Sequence, residues 1–185
     1  MRIFYFTLFI IISFTNLIKA NEKDQTINIL QNGGKLIFIR HAYAPGGGDP
    51  ENFNINDCST QRNLNSEGRN QALKIGKILE KLKIENKNIY SSEWCRCKET
   101  AKIAFGNYKT VNFLNSFFDE KFLKYKDKQV SELKKFIKGW KENEDLILVT
   151  HYVVINEILN ITTNSGDIVF FDKDYNVLKV INSMN

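Results

Sequence analysis

Lys35-Leu36-Ile37-Phe38-Ile39-Arg40-His41-Ala42 is the stretch that sets the architecture of this chain. Four apolar residues run directly into an arginine and a histidine, and Pro45-Gly46-Gly47-Gly48 follows. A short apolar run closed by polar residues and then by proline and glycine reads as a buried strand meeting a loop. A second run of the same design, Leu146-Ile147-Leu148-Val149-Thr150-His151, ends in the only other histidine. In open α/β sheets, ligands bind beyond the carboxyl ends of the strands. Both histidines therefore fall where chemistry is expected.

Outward from these two runs, the pattern alternates. Gly33-Gly34 breaks the chain before the first strand, 35–40. Residues 42–63 form a loop long enough to suggest function. Asn65 or Ser66 can cap a helix over about 66–83, whose Ala72, Ile75, Leu79 and Leu82 recur at helical spacing. Residues 89–92 read as a second strand, and a helix carrying Trp94, Ala101, Ala104 and Phe105 follows. Residues 111–114 read as a third strand, 115–128 as a loop, 130–140 as a helix, 145–150 as a strand and 152–160 as a helix. Residues 168–171 and 177–181 read as a closing hairpin. Strands alternating with helices predict a three-layer α/β/α sandwich, its sheet mostly parallel with an antiparallel C-terminal edge.

The length of 185 residues fits one domain, and 43% hydrophobic with 25% charged residues is an ordinary globular balance. Residues 1–20 stand apart. Arg2, an apolar run from Ile3 to Ile12 and a small residue at Ala20 describe a secretory signal peptide. Cleavage would leave a domain of 21–185, placed in the periplasm or secreted. An uncleaved anchor is the alternative, although Ser13, Thr15 and Asn16 make the apolar run short for a membrane span. Removing Arg2 and Lys19 from the 26 basic residues leaves 24 against 21 acidic ones, a charge of +3. The lysines are spread out rather than clustered with aromatics, which speaks against nucleic acid as a partner. The remaining apolar stretches are too short to cross a membrane.

Arg40 and His41 at a strand end combine an imidazole, a nucleophile able to form a covalent intermediate, with a guanidinium that grips phosphate oxygens as a fork. Ser91-Ser92-Glu93-Trp94-Cys95-Arg96 adds a second arginine at the start of a helix, where anions are favoured. With His151, two arginines and two histidines from three strand ends could surround one tetrahedral dianion.

At these residues the chain resembles a known family. Arg40-His41-Ala42 is similar to the Arg-His-Gly signature of the histidine phosphatase superfamily, the phosphoglycerate-mutase-like proteins. Arg62-x-Leu64-x-x-x-Gly68-x-x-Gln71-Ala72, Ser91-Ser92-x-x-x-Arg96-x-x-x-Thr100-Ala101 and Val149-Thr150-His151 resemble its later segments, in the family's order. The resemblance implies His41 as the nucleophile that becomes a phosphohistidine. It implies Arg40, Arg96, His151 and Arg62 as substrate-binding residues, with His151 also stabilising the transferring group. Ala42 stands in place of the usual glycine, a tolerable change because alanine is small, whereas Gly46-Gly47-Gly48, where mutases carry an asparagine, argues against a sugar-phosphate mutase. Tyr152 after His151 departs from the phytase-like branch. The Gly46-Gly47-Gly48-Asp49-Pro50 loop and Asp57-Cys58-Ser59-Thr60-Gln61-Arg62 resemble a small secreted branch of the superfamily.

The expected activity is that of a metal-independent phosphomonoesterase without a cofactor, acting on a phosphorylated small molecule or phosphoprotein. A non-catalytic phosphate-binding module of the same fold is the alternative. The leaving group needs a proton, and the family's pattern points to the loop after the third strand, hence Asp119 or Glu120, with Asp49 and Glu93 as further candidates. Cys58 lies in the first active-site loop, while Cys95 and Cys97 flank Arg96. Cys58 could bridge to either, or all three could stay free.

Overall fold

The structure, a computed structural model, describes residues 34–184 except 86 and 142. The expected signal peptide, residues 1–20, lies outside the described residues. The strands are β1 (Leu36–Arg40), β2 (Ile89–Ser91), β3 (Lys109–Thr110), β4 (Leu146–Thr150), β5 (Ile168–Phe171) and β6 (Val177–Ile181). The helices are α1 (Ser66–Lys81), α2 (Cys95–Phe105), α3 (Glu120–Leu123), α4 (Lys126–Lys138) and α5 (Tyr152–Leu159). One six-stranded sheet runs in the order β3-β2-β4-β1-β5-β6. β3, β2, β4 and β1 are mutually parallel, and β5 and β6 close it as the antiparallel edge. The fold is the mixed α/β sheet that the alternation of elements predicts.

The two apolar runs lie side by side, with Leu36 opposite Leu146, Phe38 opposite Leu148 and Arg40 opposite Thr150. Their alternate residues feed both faces, which is why the runs are apolar throughout. Leu36, Phe38, Leu146, Leu148, Val169 and Phe171 meet Leu133 and Ile137 of α4 and Val154, Ile155, Ile158 and Leu159 of α5 in one core. Phe38 stacks on Phe171 with ring centroids 4.7 Å apart. On the other face, Ile147 shares a surface with Leu79 of α1 and Ile103 of α2. Burying each such side chain is worth about 1.5–3 kcal/mol, so this pair of strands anchors the sheet.

The element starts follow local chemistry. The Asn65 side chain accepts from Gly68 N at 2.9 Å and caps α1. A Cβ on Gly68 would lie 1.9 Å from the Tyr43 carbonyl oxygen, so glycine there lets α1 press against the segment after His41. The third strand is shorter and earlier than the pattern suggests. Lys109 and Thr110 pair with Tyr90 and Ser91, while Asn112–Leu114 turns as a 3₁₀ segment. β2 offers only three residues to pair with, and the Asn112 carbonyl instead accepts from Gln129 Nε2 at 2.8 Å. Residues 115–128 are likewise not all loop, because α3 and the first turn of α4 lie within them. No helix among the described residues is long and apolar enough to cross a membrane.

Candidate active site

The carboxyl ends of β2, β4 and β1, adjacent in the sheet, each extend one residue into the site. Ser92 N donates to Val149 O at 2.9 Å, and His41 N donates to Thr150 O at 2.9 Å. Ser92, His151 and His41 are therefore held in a row by backbone bonds. The α2 and α5 helices start directly behind this row, so their amino-terminal ends face it. A cavity of about 220 Å³ opens there, lined by Arg40, His41, Arg62, Arg96 and His151 among others.

His41 is buried, and its Nδ1 lies 2.8 Å from the carbonyl oxygen of Ala42. A carbonyl only accepts, so Nδ1 carries the proton and Nε2 keeps its lone pair. Arg96 Nε donates to that Nε2 at 3.2 Å. Burial first, then the guanidiniums of Arg96, Arg40 and Arg62, hold the His41 pKa well below the ordinary range, despite the opposing bond to Ala42. His41 is thus a neutral imidazole with its free nitrogen in the cavity, the form a nucleophile requires. His151 is equally buried and also held well below the ordinary range, by burial and then by Arg96, His41, Arg62 and Arg40. The two rings meet edge to face at 5.4 Å.

Arg96 ties the site together. Besides His41, its Nη1 donates to Asp49 Oδ1 at 2.8 Å and its Nη2 lies 3.4 Å from His151 Nδ1. Asp49 also accepts from Arg62 N at 3.0 Å and from Trp94 Nε1 at 3.0 Å. Burial would raise the Asp49 pKa, but Arg96, through both a hydrogen bond and its charge, together with Arg62 N and Trp94, holds it below the usual carboxylate range. Asp49 therefore clamps Arg96 through a buried ion pair. Arg40 donates through Nη1 to the Thr163 carbonyl and lies 5.2 Å from the Tyr152 ring centre. Its Nε is buried without a partner, a cost of about 1–3 kcal/mol that an oxyanion acceptor would relieve.

The other expected residues divide. Arg62 lines the cavity, but its Nε and Nη1 donate to the carbonyls of Gly48 and Ala44, so it shapes the glycine loop. Gly46 and Gly48 take φ of +86° and +66° in that loop, a conformation glycine adopts freely. Asp119 lines the cavity at its partly exposed rim. Glu120 does not line it; it is exposed in the first turn of α3. Glu93 turns away to Asn115, whose Nδ2 donates to Glu93 Oε2 at 2.6 Å. Sequence reasoning missed Asn115, and it counted Asp49 only among the candidate acids.

Cys58 is bonded to Cys95, and Cys97 is a buried free thiol whose pKa is pushed up to about 12 chiefly by burial. The bridge joins the 42–63 loop to the first residue of α2. Gln61 supports it by accepting from Cys95 N at 2.9 Å. No cluster of three or more metal-ligating side chains occurs among the described residues.

The comparisons with known proteins fit this geometry. No curated protein matches the chain by sequence. Its fold matches the protein histidine phosphatase SixA complexed with tungstate, at 12% identity and a TM-score of 0.58, covering 82% of this chain and 98% of that one. TTHB049 from Thermus thermophilus aligns at 16% identity and a TM-score of 0.57, covering 80% and 98%. A phosphoserine phosphatase mutant from Entamoeba histolytica, in complex with phosphoserine, aligns at 18% identity and a TM-score of 0.55, covering 75% and 90%. The family model for branch 1 of the histidine phosphatase superfamily matches residues 36–144, which include His41, Arg40 and Arg96. The chain belongs to the histidine phosphatase superfamily, branch 1.

Proposed function

We propose that the chain is a phosphomonoesterase that works through a phosphohistidine on His41. The observation that carries this is the unprotonated Nε2 of His41, 3.2 Å from the Arg96 guanidinium in a cavity shared with Arg40 and His151. Phosphoryl transfer asks mainly for in-line positioning and for positive charge on the equatorial oxygens. Here His41 attacks phosphorus, Arg40 and Arg96 hold the oxygens, and His151 faces the same space. Water then attacks the phosphohistidine and releases phosphate. Asp119 is the carboxyl at the rim that could hand a proton to the leaving group. Charge stabilisation comes from guanidiniums, so the reading includes independence from metal ions.

The substrate class follows as a phosphorylated small molecule or an exposed phosphoryl group on a protein, because the cavity is small and opens at its rim. The site of action is outside the cytoplasm. Two features support that: the signal-like residues 1–20, and the Cys58–Cys95 bridge, since such bonds persist in oxidising compartments.

The test uses purified protein and an aryl phosphate. Turnover that survives a chelator and is blocked by vanadate is expected, together with labelled phosphohistidine trapped at alkaline pH. Phosphate binding without turnover would make the chain a binding module. Activity lost on chelation and restored by a divalent ion would overturn metal independence. Fractionation of cells expressing the full chain tests location; protein retained in the cytoplasm would overturn that part.

A further inference from the structure

Behind His151 lies a chain of polar groups that the reaction above does not use. Ser92 Oγ is 3.0 Å from His151 Nε2 and 3.0 Å from Asn115 Oδ1, and it accepts from Trp94 N at 3.2 Å. Asn115 is oriented by two bonds of fixed sense. Its Oδ1 accepts from Glu93 N at 2.9 Å, and its Nδ2 donates to the Glu93 carboxylate at 2.6 Å. The oxygen of Asn115 therefore faces Ser92. That oxygen can only accept, so the single hydroxyl proton of Ser92 points to Asn115. Ser92 Oγ has two lone pairs left. One takes Trp94 N–H, and the other faces His151 Nε2. A hydrogen bond at that contact exists only if Nε2 carries the proton.

The structure assigns Ser92 as a positioning residue that, with Asn115 and Glu93 behind it, fixes His151 as the Nε2–H tautomer. The lone pair of Nδ1 is then turned toward Arg96 Nη2, 3.4 Å away. Any proton His151 gains when an oxyanion enters must go to Nδ1, on the side shared with Arg96. Cys97 makes the competing contacts, since its thiol also pairs with the Ser92 hydroxyl, a weaker interaction than the oxygen acceptor Asn115 offers. Cys97 Sγ lies 3.4 Å from the same Nε2. A thiol is a weak donor, and a lone pair on Nε2 would then face the lone pair of Ser92 at 3.0 Å. The serine contact decides, and the neutral Cys97 sulfur acts as a second, weak acceptor. All four groups are buried except Glu93, which reaches the partly exposed end of the chain. The carboxylate there polarises the relay without entering the cavity.

The test is ¹⁵N NMR of the imidazole rings in untagged protein, where the two histidines are the only imidazoles to assign. His41→Gln leaves His151 alone in the spectrum. The expected result is a protonated Nε2 and a pyridine-like Nδ1 on His151 in the wild type, and a mixture of tautomers in Ser92→Ala. With an aryl phosphate, Ser92→Ala is expected to lower kcat roughly 10- to 100-fold, as for other partners that fix a histidine tautomer, with KM little changed. A wild-type His151 protonated on Nδ1 overturns the assignment, even if Ser92→Ala fails to fold. A Ser92→Ala protein with full kcat overturns the positioning role. Only the kcat arm rests on the proposed activity; absence of turnover in the wild type would sink that activity while the tautomer measurement still decides this inference.

Discussion

The ends of β1 and β4 are near copies in sequence, yet they hold their histidines by different means. Each strand is a buried apolar run that delivers one imidazole to the same cavity. His41 is oriented by the next carbonyl along its own backbone, a bond that does not depend on the side chain at position 42. His151 is oriented by three side chains from elsewhere in the chain, Ser92, Asn115 and Glu93. The proposed nucleophile thus takes its ring orientation from backbone on one nitrogen, with Arg96 on the other. The second histidine rests on a network that single substitutions can break.

The largest expected effect comes from erasing one member of the pair at a time. His41→Ala should lower kcat by at least about 10³-fold, because the covalent route is lost. His151→Ala should lower it by about 10²–10³-fold, the usual loss for one group that stabilises developing charge. Steady-state kinetics on both variants checks this; equal losses would mean the two strand ends are functionally equivalent. Next comes Arg96, the residue in contact with both rings. Arg96→Lys keeps a charge but loses the planar fork, and should fall within about threefold of the Arg96→Ala loss, itself about 10²-fold or more. A mild lysine phenotype would show that contact with both histidines is incidental.

Smaller effects concern stability. Cys58→Ser should lower stability by about 2–4 kcal/mol while the sheet and both histidines stay in place, read by chemical denaturation. Thiol titration of the unfolded wild type should find one free thiol, Cys97; three would show an unbridged loop. The smallest effect is a pH dependence. Both histidines have folded pKa values well below their unfolded value of about 6.5. The unfolded chain therefore binds more protons as pH falls below that value, so stability is full above it and declines below. The double variant His41→Ala, His151→Ala should flatten the denaturation midpoint between about pH 7 and pH 5. A wild-type midpoint that does not fall over that range would contradict two buried neutral imidazoles.

How far the sequence discloses this molecule depends on whether the signal is local. The strand ends at Arg40 and Thr150 are legible because their apolar runs are buried on both faces and stop abruptly. The third strand is not, because its extent is set by a three-residue partner, β2. Cys58 has two cysteines available one turn apart or less, and only the placement of α2 selects Cys95 over Cys97. The separation of Asp119 from Glu120 depends on where α3 begins, so neighbours in sequence end on different sides of the rim. Asn115 has no local signature at all. An amide that links a serine and a glutamate is defined by its partners, which lie 22 and 23 residues away.

The Asp49–Arg96 pair has a consequence for turnover. Three guanidiniums at the cavity face three carboxyl groups, Asp49, Asp119 at the rim and the buried Asp167 beside Arg40, with both histidines neutral. The positive charge of the cavity therefore does not exceed the charge of a phosphate dianion. Asp49 also competes as a resident anion for the same Arg96 nitrogen, so a departing phosphate leaves behind a guanidinium that already has a partner. The cavity is built for weak retention of free phosphate, and inorganic phosphate is expected to be a poor competitive inhibitor of the enzyme that generates it.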